Sequence, residues 1–280
     1  MEDSLSKGMS GPPKSTTRRP LIACLGYHDV ADDPSESGFQ RNGARPFKVG
    51  VRLFCDHLDQ IAEAGWAPGL VGNIDLTKSG RHVLLTFDDG GKSALRAAAE
   101  LSRRGWLGHF FITTSFIGQR TFLDAGEIRQ LRAAGHVVGT HSHTHPDIYR
   151  ELDRERMLVE WRQSSDILAQ ILGEPCLTAA VPGGEISKVV LQSAGATGLR
   201  HLFTSEPWLT PRVVGGCWIL GRYCPKVSTT AHEIAELVRF EGWANKLVVR
   251  RLKTLASRSL PSLYRMYVRR SVREWQGQAQ

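Results

Sequence analysis

Short apolar runs alternate along this chain with longer stretches in which apolar residues recur every three or four positions. The runs at 21–27, 83–87, 109–113, 136–140, 177–181 and 201–204 have the length and apolarity of buried strands. Between them, 51–64, 93–104, 124–134, 153–172 and 185–194 keep a helical period, and several are followed by a glycine suited to a helix C-terminus. Strand and helix in alternation predict an α/β fold with a largely parallel sheet. Periodicity leaves open whether that sheet is a barrel or an open doubly wound one.

Chemistry concentrates where the strands end. The run at 83–87 delivers two adjacent carboxylates, Asp88 and Asp89, and stops at Gly90. Taken alone, Asp-Asp-Gly is a common solvated turn. Downstream, Gly139-Thr140-His141-Ser142-His143-Thr144-His145-Pro146 packs three histidines into five positions. In an extended chain all three would share a face, whereas in a helical turn His141 and His145 would pair at i, i+4. Either way His141 and His145 converge, and two imidazoles with a carboxylate suit a divalent ion such as zinc while leaving positions free for water and substrate.

On these residues the chain resembles the polysaccharide deacetylases with the NodB homology domain, carbohydrate esterase family four. Thr86-Phe87-Asp88-Asp89-Gly90 is similar to the family's first motif, and His141 to Pro146 to its His-Ser/Thr-x-x-His-Pro motif. The resemblance implies Asp88 as catalytic base, Asp89, His141 and His145 as ligands of one divalent metal, and His143 as a variable position. It also implies the family's distorted, incomplete (β/α) barrel, with the site at the C-terminal ends of the strands. Tyr27-His28-Asp29-Val30 looks like the Tyr-His-x-Val opening of one branch, in which the histidine can act as general acid. The usual late Leu-x-x-His is not visible, His232 reads as part of a helix start, and His28 is therefore the expected acid.

Two positions depart from the pattern. Where many members carry an arginine that orients the base, this chain reads Ala180-Val181-Pro182-Gly183-Gly184, which leaves Asp88 to rely on another group or on none that the sequence identifies. Gly91 stands where a larger residue often follows and would leave extra room beside the site. Pro182 and Gly183 are candidate substrate contacts. Trp208 is either an apolar platform for a sugar ring or a core residue. The segment 221–226 offers basic donors to which no role is assigned.

The 280 residues suit one large domain, with 41% hydrophobic and 23% charged residues. Boundaries are expected at 1–20 for a disordered leader without an apolar signal region, 21–243 for the deacetylase-like domain and 244–280 for a helical extension. Five scattered cysteines without C-x-x-C spacing fit a cytoplasmic setting. Residues 246–273 hold nine Lys and Arg and no Asp or Glu, against a net charge of +8 for the whole chain. Interleaved apolar residues make this a basic amphipathic segment, either packed on the domain or suited to an anionic membrane surface; no nucleic-acid motif accompanies it. The expected activity is N-deacetylation of an acetylated amino-sugar glycan. Alternatives are hydrolysis of another C–N bond, in a cyclic amide or ureide, and a catalytically silent carbohydrate-binding relative.

Overall fold

The computed structural model describes residues 19–184 and 186–276, so the expected leader lies outside the described residues apart from its last two positions. In chain order the strands and α-helices are β1 (Leu21–Tyr27), β2 (Asp29–Val30), β3 (Lys48–Val49), α1 (Val51–Glu63), β4 (Arg81–Phe87), α2 (Ala94–Arg103), β5 (His109–Ile112), α3 (Ala125–Ala133) and β6 (Val137–Thr140). There follow α4 (Arg154–Leu172), β7 (Thr178–Ala180), α5 (Lys188–Ala196), β8 (His201–Phe203), β9 (Arg212–Val214), β10 (Cys217–Leu220), α6 (Ala231–Val238), α7 (Trp243–Ser259) and α8 (Pro261–Gln276). Every strand and helix read from periodicity is present within a few residues of its expected bounds. The β9–β10 hairpin, turned by Gly215 and Gly216, and the short pair β2–β3 were not expected.

Eight strands form one sheet in the order β1-β4-β5-β6-β7-β8-β10-β9, parallel except for β9 against β10. Beyond β10 the chain returns to β1. Gly26 N donates to Tyr223 O (2.8 Å) and Tyr223 N donates to Cys24 O (3.0 Å), so the sheet curls back on itself as a distorted barrel. Strand alternation divides the core accordingly. Ala23, Leu25, Val83, Leu85 and Phe87 face the outer helices. Ile22, Cys24, Leu84, Phe111, Ala180, Phe203 and Leu220 fill the lumen. The inward positions of β4 continue through Thr86 to Asp88, and those of β10 through Leu220 to Arg222, so both side chains arrive at the top of the lumen.

Helix starts follow local chemistry. Asp124 and Thr230 close capping boxes with Glu127 and Glu233, at the starts of α3 and α6. His232 is thereby placed on the exposed side of α6 and is not among the residues that line the cavity described below.

Candidate active site

Asp88 is buried at the end of β4 and is held by a guanidinium. Arg222, fully buried, donates through Nη1 to Asp88 Oδ1 (2.7 Å) and through Nη2 to Asp88 Oδ2 (2.8 Å). Arg222 also donates to Thr86 Oγ1 (2.8 Å) and to Thr204 O (3.0 Å), while Thr86 Oγ1 donates to Leu25 O (3.2 Å). Burial opposes ionisation of Asp88 most strongly, yet Arg222 and then His141 outweigh it and hold the carboxyl below the usual carboxylate range. The loop at 180–184 brings no arginine to Asp88; the guanidinium that holds it comes from 221–226, a segment read above without a role. Gly26, inward on β1, makes room: a Cβ there would lie 3.3 Å from Arg222 Cζ.

Asp89, His141 and His145 come together beside this pair, with their candidate ligand atoms all within 4.8 Å of one another. His141 Nε2 lies 3.4 Å and His145 Nε2 3.6 Å from Asp89 Oδ1, which is buried without a hydrogen-bond partner. His141 Nδ1 donates to Ala180 O (3.0 Å), which leaves Nε2 with a free lone pair, the arrangement a metal-binding imidazole needs. Arg41 reaches His145 Nδ1 (3.2 Å) and Asp147 (3.8 Å). Burial, then Arg41, pushes the His145 imidazolium down to about 3, so this ring is neutral near pH 7. Ligation through its Nε2 would require Arg41, a donor, to give up Nδ1 in favour of Asp147. An orphaned carboxylate oxygen between two imidazole nitrogens fits a divalent cation.

The chain enters neither of the two geometries considered for the histidine segment. Ser142 and His145 adopt left-handed conformations (φ 67° and 52°), as does Asp89 (φ 74°). Such positions cost ~1–3 kcal/mol each in a non-glycine residue and persist where the surroundings over-determine them. Here Ser142 Oγ accepts from His145 N (3.1 Å), and the buried Glu160 accepts from His143 N, Thr144 N and Thr144 Oγ1. His143 turns away, its Nδ1 against Thr114 Oγ1 (2.9 Å).

A cavity of about 400 Å³ opens over Asp88 and Arg222, with His28, Phe47, Gly183, Gly184 and Pro207 among its walls. His28 follows β1, stacks near Phe47 (centroids 4.7 Å apart) and has a buried Nδ1 without a partner. Pro182 is buried beneath the turn that exposes Gly183 to the cavity. Trp208 is not brought to it. Its ring packs in the cluster around Trp161 and Leu202, with the Arg212 guanidinium 4.2 Å from its centroid, while Pro207 forms the wall.

The space expected beside Gly91 is filled. Asp29, the variable residue of the Tyr-His-x-Val opening, accepts from Ser37 Oγ (2.6 Å) and Ser93 Oγ (2.7 Å) and pairs with Lys48 (3.4 Å), tying the loop 31–47 over the site. A Cβ on Gly91 would collide with Asp29 Oδ1 and lie 2.6 Å from Ser37 Oγ and 2.8 Å from Gly38 N. Gly91→Ala is therefore expected to cost ~1–3 kcal/mol by overpacking, with Tm lower by roughly 2–10 °C in a thermal melt. An unchanged Tm would mean that the Asp29 network is not rigid.

The α7–α8 segment is docked through its cations. Lys246 pairs with Glu233, Arg250 donates to Glu206 (2.8 Å) and Gly184 O (2.6 Å), and Arg265 pairs with Glu151 (2.9 Å). Among the described residues, eight of the twelve exposed large apolar side chains lie at 248–267, among them Leu252, Leu255, Leu263, Met266 and Tyr267, so these helices turn apolar residues outward.

A curled parallel sheet with carboxylates and histidines clustered at its strand ends defines an α/β protein of the deacetylase barrel class. Residues 75–202 match the family model described as polysaccharide deacetylase. Among curated proteins, none matches the chain in sequence. Similar solved structures include BC0361, a polysaccharide deacetylase from Bacillus cereus (TM-score 0.66, 19% identity, 78% of this chain and 69% of that one). The Streptococcus pyogenes deacetylase PplD, in complex with acetate, aligns with TM-score 0.65 and 18% identity over 79% of this chain and 99% of its own. IcaB from Ammonifex degensii aligns with TM-score 0.62 and 21% identity over 78% and 97%. At these identities the likeness carries the fold.

Proposed function

We propose that this protein is a divalent-metal-dependent hydrolase that removes N-acetyl groups from an acetylated amino-sugar glycan. One observation carries the reading: a base clamped by an arginine and a histidine across from it border one sugar-sized cavity, and a carboxylate and two imidazoles fit for a cation lie directly beside that base. Asp89, His141 and His145 would hold the ion, with zinc suited to the N/O donor set. When bound, such an ion supplies Lewis acidity and lowers the pKa of water. Asp88 accepts the proton of the attacking water on a carboxylate that Arg222 keeps ionised and correctly turned. His28, across the cavity, gives a proton to the departing amine, which leaves poorly without one. Gly183 and Pro207 bound the space for the sugar.

The test is metal reconstitution of the chelated protein, followed by measurement of acetate from acetylated glycans and of ring-opened product from cyclic amides. Acetate release that requires a divalent ion, and falls at least ~100-fold in His141→Ala, is expected. Ring opening without acetate would favour the cyclic-amide alternative, and no turnover of either class would favour a silent carbohydrate-binding relative.

The outward apolar stripe of α7–α8, interleaved with exposed Arg251, Arg258, Arg269 and Arg270, supports a second element of the reading: these helices lie on an anionic bilayer surface. Among the described residues no helix is long and apolar enough to cross a membrane. Co-sedimentation with vesicles containing anionic lipid is expected to fall at least ~10-fold when Leu252, Leu255, Leu263 and Met266 are changed together to serine. Equal binding by the variant would sink the idea.

A further inference from the structure

Resting on the deacetylase reading, we propose that the amino sugar accepted by this site carries a phosphate group, received by Lys226 and Lys253 at the mouth of the cavity. The wall facing Asp88 and Arg222 is unusually cationic, with Lys226, Lys246, Arg250 and Lys253 all lining it. Two of the four are already occupied: Lys246 by Glu233, and Arg250 by Glu206 and Gly184 O. Lys226 and Lys253 have no carboxylate partner among the described residues. Lys226 instead lies over the Phe47 ring (5.3 Å), half-buried in the same wall as His28. Burial, then the neighbouring Lys253, lowers the Lys226 pKa, so both lysines of this wall act on one another as like charges.

A fold keeps unpaired like charges beside a catalytic cavity at a cost, and the cost is recovered when an anion arrives. Two ammonium groups match the double charge of a phosphate as mobile point charges, whereas a carboxylate is better served by a planar guanidinium fork. The nearest fork, Arg250, is committed to Glu206. Phosphate on a sugar has two sources, a soluble sugar phosphate and a lipid-linked one. Lys253 and Val249 reach the cavity from α7, the helix whose other residues form the outward apolar stripe. A lipid-borne phosphate would approach from that side.

The test reads phosphate recognition separately from hydrolysis. Calorimetric titration with glucose 1-phosphate and with methyl glucoside, neither of which has an acetyl group to lose, is expected to give at least tenfold tighter binding of the phosphate. That ratio should fall to about one in Lys226→Gln/Lys253→Gln and stay unchanged in Lys78→Gln, a surface cation paired with Asp75 far from the cavity. A ratio near one in the unaltered protein, or one untouched by the double substitution, overturns the proposal. Acetate release from N-acetylglucosamine 1-phosphate, set beside methyl N-acetylglucosaminide, reports on the deacetylase reading: Lys-dependent phosphate binding with no acetate from either sugar would remove that reading and leave the anion site standing. Presenting the same sugar on a polyprenyl phosphate in vesicles separates the sources. A tenfold lower KM there than for the soluble phosphate supports the lipid-linked form, and equal KM values support the soluble one.

Discussion

Arg222→Met is expected to destabilise the protein by ~3–5 kcal/mol at pH 7, the loss typical of breaking a buried ion pair from one side. The substitution preserves most of the volume at the top of the barrel and removes all donors to Asp88, Thr86 and Thr204. Asp88 is then a buried carboxylate that has lost its guanidinium and keeps only His141, 4.0 Å away. The sign with pH follows. In the native protein the folded pKa of Asp88 is depressed, so its pair contributes stability above the unfolded carboxyl value near ~4 and loses it as pH falls through the folded one. In the variant, desolvation is opposed only by the weaker pull of His141 and His28, so the folded pKa rises; the penalty is largest at neutral pH and shrinks on acidification. Urea unfolding should therefore show a wide gap between native and variant at pH 7 that narrows towards pH 4. A gap independent of pH would mean that the loss is one of packing and not of charge. Arg222→Lys keeps the charge without the bidentate fork, and is expected to recover much of the stability but little of the activity.

That arginine marks where reading the sequence ran out. The Thr-Phe-Asp-Asp-Gly and His-x-x-x-His segments were legible because each packs its chemistry into a few consecutive residues after an apolar run, and the six strands leading to the site have ordinary lengths and apolarity. Arg222 lies 134 positions from Asp88, and what joins them is sheet closure. Its signal was present: Trp218, Leu220 and Arg222 alternate as one strand face, so an arginine there is an inward position at the C-terminal end of a strand. Strand β10 itself was missed because it pairs with β9 in a hairpin across Gly215-Gly216, outside the strand–helix alternation that marked the others, and with it went the inward direction of Arg222. Trp208 was left between two readings for a related reason. Aromatic character after a strand does not say on which side of the chain the ring lies, and here Pro207 took the cavity wall while the indole joined the core. Gly91 shows the opposite error, in which a missing side chain was read as space when it was a place for Asp29 to occupy.

Asp88→Asn is expected to lower kcat by ~100- to 10,000-fold with little change in KM, as removal of a general base does. The amide is nearly isosteric but cannot take a proton, and it returns only one acceptor to the Arg222 fork, so some loss of stability accompanies the loss of rate. His28→Ala discriminates the two proton-transfer roles. Because Asp88 stays ionised well into the acid range, the native protein should lose no activity from this group between pH 5 and 8. Loss of a proton donor instead steepens dependence on the leaving group. His28→Ala should slow release of an alkylamine from an acetamido sugar by ~100-fold or more, yet leave hydrolysis of an activated acetyl ester, whose phenolate leaves without a proton, within a few-fold of native. Equal losses on both substrates would show that His28 acts on the first step or on packing against Phe47, and the assignment of general acid would have to move elsewhere in the cavity. Asp88→Asn, by contrast, should depress both, since both begin with the same attack by water.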